Sequence, residues 1–178
     1  GVSSVDIAKI GQYAENVYFG KPCGLMDQMA CSVGGMIYID FADKENVIVE
    51  KVDSEFDGAG LSLCIVDTKG SHADLTPDYA AVPEEMNLVA RALGKEHLRE
   101  VDENEFYRNI PALREKVGGR AVIRAIHFFE EEKRVKKAVA ALKSSNYNGF
   151  MQVIKASGNS SSKYLQNIYS PKAIYSQN

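Results

Sequence analysis

The sequence predicts an α+β fold, and two observations predict it. Two β-branched runs, Met36–Phe41 and Val47–Val52, lie close together near the front of the chain, while nearly everything after residue 76 has helical periodicity. Strands gathered early and helices gathered late point to segregated layers, not to a regular strand–helix alternation. With 45% hydrophobic and 25% charged residues over 178 positions, the chain can bury about 70% of its unfolded surface without metal or disulfide staples.

Ser3 and Ser4 offer a hydroxyl cap to a stripe formed by Val5, Ile7, Ala8, Ile10, Ala14 and Val17, which predicts a helix of about three to four turns. The pattern runs out near Tyr18-Phe19-Gly20. Pro22 then disfavours helix at Lys21, and a second helix is expected from Leu25 to Cys31. Gly34-Gly35 should end it and launch the two strands as an antiparallel pair. After Gly58 and Gly60, the apolar run Leu61–Asp67 predicts a further, buried strand. Thr76-Pro77-Asp78 reads as a helix start, with the helix stopping before Gly94. One helix is expected over Glu103–Val117 and a long one over Ala121–Leu142. Two short helices should follow, near Phe150–Ala156 and Ser161–Ile168. The composition shift at Gly58-Ala59-Gly60 divides the chain into residues 1–58 and 59–178.

Charge excludes some partners. Twenty-one Lys and Arg against 24 Asp and Glu give a net charge of -3, which provides no basic field for nucleic acid or an anionic bilayer. An anionic ligand must be held locally. The three cysteines, Cys23, Cys31 and Cys64, are expected to be free thiols of a reducing, cytoplasmic compartment. No stretch approaches the length of a membrane span. The chain begins at Gly1 immediately before a helix, which suggests a piece of a longer polypeptide.

The stretch from Glu15 to Gln28 carries the chemistry, because two carboxylates, Glu15 and Asp27, flank a Pro-Cys-Gly connection that turns the chain back. A carboxylate in the first turn of a helix is held ionised by nearby N–H groups and could accept a proton from a hydroxyl. The macrodipole alone would also favour an Asp there.

Glu15, Phe19-Gly20 and Pro22-Cys23-Gly24-Leu25-Met26-Asp27-Gln28 together resemble the galactokinase signature within the GHMP family of small-molecule kinases. Thr68 with Tyr79, the segment Arg124-Ala125-Ile126-His127 with Glu130 and Arg134-Val135, and Ser157 with Ser160–Ser162 are similar to later stretches of that family. The resemblance implies the end of a ribosomal-S5-like domain over 1–58, followed by a mostly helical, ferredoxin-like domain over 59–178. It implies transfer of the γ-phosphate of ATP to the anomeric hydroxyl of galactose, with Asp27 as base and Gly24 and Tyr79 against the sugar. Glu15 would lie on the Mg²⁺ that bridges the ATP phosphates. Sugar and ATP are then the partners; the oligomeric state is left open.

Three features of the family pattern are absent from this sequence: the phosphate loop Pro-x-Gly-x-Gly-Leu-Ser-Ser-Ser, the N-terminal sugar-contacting segment and the C-terminal Gly-Gly-Gly motif. The stretch alone is therefore expected to be inactive. An arginine pair common after the tyrosine is replaced by Ala80-Ala81-Val82-Pro83, which leaves open a kinase for another sugar or sugar acid. A catalytically silent sugar and ATP sensor, or a helical interaction module, are further alternatives.

The remaining residues have plainer expectations. His72 should be solvated in its loop, His97 exposed and His127 partly buried; Cys23 should be packing. The Ser160–Ser162 cluster should cap a helix start, and Glu130–Arg134 should be a solvated face with Glu130–Arg134 and Glu132–Lys136 pairs.

Overall fold

The computed structural model describes residues 1–20, 23–43, 45–54, 59–62, 64–67 and 76–168. These form two compact units, one of Gly1–Phe56 with Leu142–Ser145 and the other of Asp57–Ala141 with Asn146–Asn178.

The first unit opens with α1 (Ser4–Tyr13), and Ser3 caps it as the sequence predicts. The Ser3 hydroxyl accepts from the Asp6 N–H at 3.1 Å, and the Ser3 N–H donates back to the Asp6 carboxylate, closing a capping box. A π-helical turn, Ala14–Tyr18, continues α1 without a break and stops at Phe19. After the connection comes α2 (Met26–Val33), which returns antiparallel to α1. Ser32 Oγ near its end donates to the Ser4 carbonyl at 2.6 Å, while Gln28 near its start reaches Glu15.

Gly34 and Gly35, with φ of +72° and +71°, take the chain from α2 into the sheet through backbone conformations that a Cβ would strain. Strands β1 (Ile37–Asp40) and β2 (Ile48–Lys51) pair antiparallel, with Ile37 opposite Lys51 and Asp40 opposite Ile48. Between them the Asp43 carboxylate accepts from the Glu45 and Asn46 N–H groups, an Asx-type turn.

The expected third strand is not there. Among the described residues of 61–67 none is in a strand, and Ile65 and Val66 are 93% and 80% exposed. A β-branched run favours extended backbone, but a strand needs a partner for its N–H and C=O groups, and none is offered.

The second unit is helical: α3 (Thr76–Ala92), a 3-10 turn (Leu98–Glu100), α4 (Glu103–Arg108), α5 (Ile110–Val117), α6 (Gly119–Lys143) and α7 (Tyr147–Ser160) with a π turn Ser161–Leu165. The single helix expected over Glu103–Val117 is two. Pro111 has no N–H to give and its ring crowds the preceding turn, so the chain re-enters helix after Asn109 with Pro111 in the first turn of α5. Pro83 is accommodated inside α3, where the intrahelical bond to the Tyr79 carbonyl cannot form.

The core of this unit gathers Val89, Leu98, Phe106, Leu113, Val122 and Phe129. Phe106 is fully buried, its ring centroid 5.0 Å from that of Phe129. Burying such side chains contributes about 1.5–3 kcal/mol each.

Candidate active site

Ala8, Gly11, Gln12, Glu15 and Asn16 recur at helical spacing, which brings them to the side of α1 that meets α2 and the connection. Gly11 has no side chain where Gln28 crosses: a Cβ there would lie 3.4 Å from Gln28 Cγ. The Gln28 stem therefore runs across Gly11, and its amide arrives one turn later at Glu15. Gln28 Nε2 donates to Glu15 Oε1 at 2.8 Å and lies 3.4 Å from Cys23 Sγ.

Two more amides from the same helix fix the connection. Asn16 Oδ1 accepts from the Cys23 N–H at 2.8 Å, and Gln12 Nε2 donates to the Cys23 carbonyl at 3.2 Å. The chain entering Gly24 and α2 is thus held by its backbone. Gly24 itself is exposed, with open space where a side chain would be.

Asp27 occupies the first turn of α2 and is exposed. Leu25 at the N-cap supplies no side-chain oxygen, and Asp27 is the acid in the first turn, at the positive end of that helix. Its carboxylate makes no hydrogen bond or ion pair with another described residue. Asp27 is joined to Glu15 through its neighbour Gln28, not by direct contact. Glu15 is half-buried and held.

Tyr79 stands on α3 in the second unit, 59% exposed. Thr68 and His72 lie outside the described residues. Among the described residues no three or more His, Cys, Asp or Glu side chains cluster in a way that would hold a metal unaided.

The second unit carries a polar network that the sequence pattern only partly indicated. Arg124, 5% exposed, donates through Nη1 to Glu85 Oε2 and through Nε to the Leu165 carbonyl, both at 3.0 Å. Arg120, one turn earlier, also grips Glu85. His127 is buried, not partly exposed, with Nδ1 2.9 Å from Ser160 Oγ; Arg134 Nη2 donates to the same hydroxyl at 2.8 Å. Ser160 thus closes the end of α7 and does not cap a helix start, which corrects the expected role of the serine cluster.

The charge run also departs from expectation. Its ion pairs within α6 are i,i+3 pairs, Lys133 with Glu130 and Arg134 with Glu131, while Glu132 pairs with Arg99 and Arg134 also donates to Ser160. Glu131 and Arg134 face α7, where the Ser157 hydroxyl donates to Glu131, so this part of the run is not a solvated face. His97, expected exposed, is half-buried at the N-cap of the 3-10 turn, where its N–H donates to Glu100 Oε1 at 3.2 Å. All three cysteines are free, Cys23 partly buried and Cys31 and Cys64 exposed.

Comparison with known proteins decides the relationship. The galactokinase of Streptomyces coelicolor is 30% identical over 151 residues, and the human galactokinase is 33% identical over 146 residues. This is galactokinase-like sequence. The galactokinase of Actinobacillus pleuropneumoniae is likewise 30% identical over 159 residues. These matches take in 82%, 80% and 89% of the chain but only 37%, 35% and 40% of the galactokinases, so the chain spans well under half the length of these relatives. The fold agrees: the crystal structure of Lactococcus lactis galactokinase complexed with galactose superposes with a TM-score of 0.64 and 22% identity, covering 93% of this chain and 42% of that one. No family model matches the chain. No helix among the described residues is long and apolar enough to cross a membrane.

Proposed function

We propose that these residues belong to an ATP-dependent sugar kinase that phosphorylates the anomeric hydroxyl of galactose, with Asp27 as the base. The observation that carries this reading is the state of Asp27: an exposed carboxylate with no hydrogen bond or ion pair among the described residues, at the first turn of α2 and next to the residue that ties α2 to Glu15. In that role Asp27 accepts the hydroxyl proton as the sugar oxygen forms its bond to the γ-phosphorus and the bond from that phosphorus to the β,γ-bridging oxygen breaks, releasing ADP. Gly24 offers backbone groups to the sugar on an open surface, and Tyr79 offers a ring.

Glu15 fits the role of a magnesium ligand. It is a carboxylate oriented by Gln28, and beside it lies a buried acceptor, Gln28 Oε1, that has no hydrogen-bond partner among the described residues. A site with one protein carboxylate suits an ion that keeps phosphate oxygens and waters. When bound, the ion would neutralise charge on the ATP phosphates.

The same reading places residues 1–58 at the end of a ribosomal-S5-like domain and 59–178 in a ferredoxin-like one, in a cytoplasmic protein. The sequence holds no phosphate loop, so the 178 residues by themselves should not turn over ATP.

In the full-length protein, Asp27→Ala should lower kcat by about 100-fold or more and leave the urea midpoint unchanged. Wild-type turnover in that variant removes Asp27 from the reaction. The missing arginine pair after Tyr79 makes the acceptor a separate question. A panel of aldoses and sugar acids answers it: ADP release with another sugar but not with galactose would keep the kinase and change its substrate.

A further inference from the structure

Gln28 is placed more tightly than a surface amide in a helix hairpin needs to be. Its stem lies across Gly11, where an added methyl group would already be in contact at 3.4 Å. Its Nε2 is engaged with Glu15 Oε1 at 2.8 Å and with Cys23 Sγ at 3.4 Å. Turning the amide over would set a carbonyl oxygen against the carboxylate, so the orientation is imposed by the charge of Glu15.

The consequence is an orphan. Among the described residues Gln28 Oε1 is buried and has no hydrogen-bond partner, and buried acceptors are normally satisfied. A fold seeking only to join α1 to α2 could use an apolar side chain here at no polar cost. An amide that leaves its acceptor unpaired beside a carboxylate is better explained by a ligand whose donors complete it.

We propose that Gln28 is a positioning residue for Glu15: its N–H holds the carboxylate in one rotamer, so that a divalent cation meets a ligand whose direction is already fixed. The unpaired Oε1 would then accept from a water carried by that cation. Asn16 and Gln12 support the arrangement by fixing Cys23, whose sulfur is the second contact of the Gln28 amide. This inference rests on the reading of Glu15 as a metal ligand, and the test separates the two.

The experiment titrates Mn²⁺ into full-length protein with a non-hydrolysable ATP analogue, follows free Mn²⁺ by electron paramagnetic resonance, and records the urea midpoint of each variant. Gln28→Met keeps the stem across Gly11 and removes the amide. Gln28→Asn keeps an amide one methylene too short, and serves if the Met variant does not fold. Either should weaken Mn²⁺ binding about 10-fold with the urea midpoint unchanged, and Glu15→Gln should weaken it at least as much. Wild-type Mn²⁺ affinity in a folded Gln28 variant, alongside a loss in Glu15→Gln, overturns the role of Gln28 and leaves Glu15 as the ligand. Unchanged affinity in Glu15→Gln overturns the metal reading of Glu15 and this inference with it. A parallel fall in affinity and urea midpoint makes Gln28 merely structural and overturns the proposal.

Discussion

His127 shows how burial decides what a side chain does. The sequence predicts partial burial, and the structure encloses it with Ser160 Oγ at 2.9 Å from Nδ1. Burial pushes its pKa below the ordinary histidine value, against the upward pull of the Glu131 carboxylate, while Arg134 adds to the depression. The unfolded chain therefore binds this proton more readily than the folded one between the folded pKa and about 6.5. Stability from this group is complete above about pH 6.5 and falls as the pH drops through the window below it. Urea denaturation at pH 7.5 and 5.5 checks this: the wild type should lose more stability on acidification than His127→Gln. An equal loss in both would remove His127 as the source. His97 makes the opposite lesson. Its charged surroundings suggested exposure, yet a residue at the start of a 3-10 turn is drawn inward by its cap.

Between elements, Glu85 is the hub. From α3 it accepts from Arg120 and Arg124 on successive turns of α6, and Arg124 continues to the Leu165 carbonyl after α7. The Arg124 side chain is only 6% exposed, so removing its counter-charge would strand a buried guanidinium. Glu85→Ala should cost about 3–5 kcal/mol, and Glu85→Gln, which keeps an acceptor, clearly less. Chemical denaturation of the two variants measures the difference, and equal losses would show that the charge is unimportant. Such a pair could not be read from spacing, because its members are 35 and 39 positions apart. Capping was legible: Ser3 serves α1 as expected because a cap needs only residues within one turn. The break at Asn109 was also written locally, in Pro111, although the surrounding periodicity favoured one helix.

For the whole molecule, the notable feature is apolar surface left uncovered. Ile10, Tyr13 and Val17 recur at three- and four-residue spacing along α1 and its π turn and are 61%, 57% and 56% exposed, with Phe19 beyond them at 83%. A contiguous apolar stripe of this kind promotes association in water. The 178-residue chain should therefore elute above its monomer size in gel filtration at micromolar concentrations, and Ile10→Lys with Val17→Lys should shift it toward 19.6 kDa. A monomeric wild type would show that the stripe does not drive association.

The sequence by itself determined the local events: the Ser3 cap, the glycine exits and the antiparallel strand pair, since each depends on neighbours within a few residues. Tertiary structure alone decided that Gln28 would cross Gly11 to hold Glu15, that Ser160 would close on His127 and Arg134, and that none of the described residues of 61–67 would join a strand. Those outcomes depend on which distant backbone arrives alongside. Hydrogen bonds and burial are properties of that arrival, and residue spacing does not encode it.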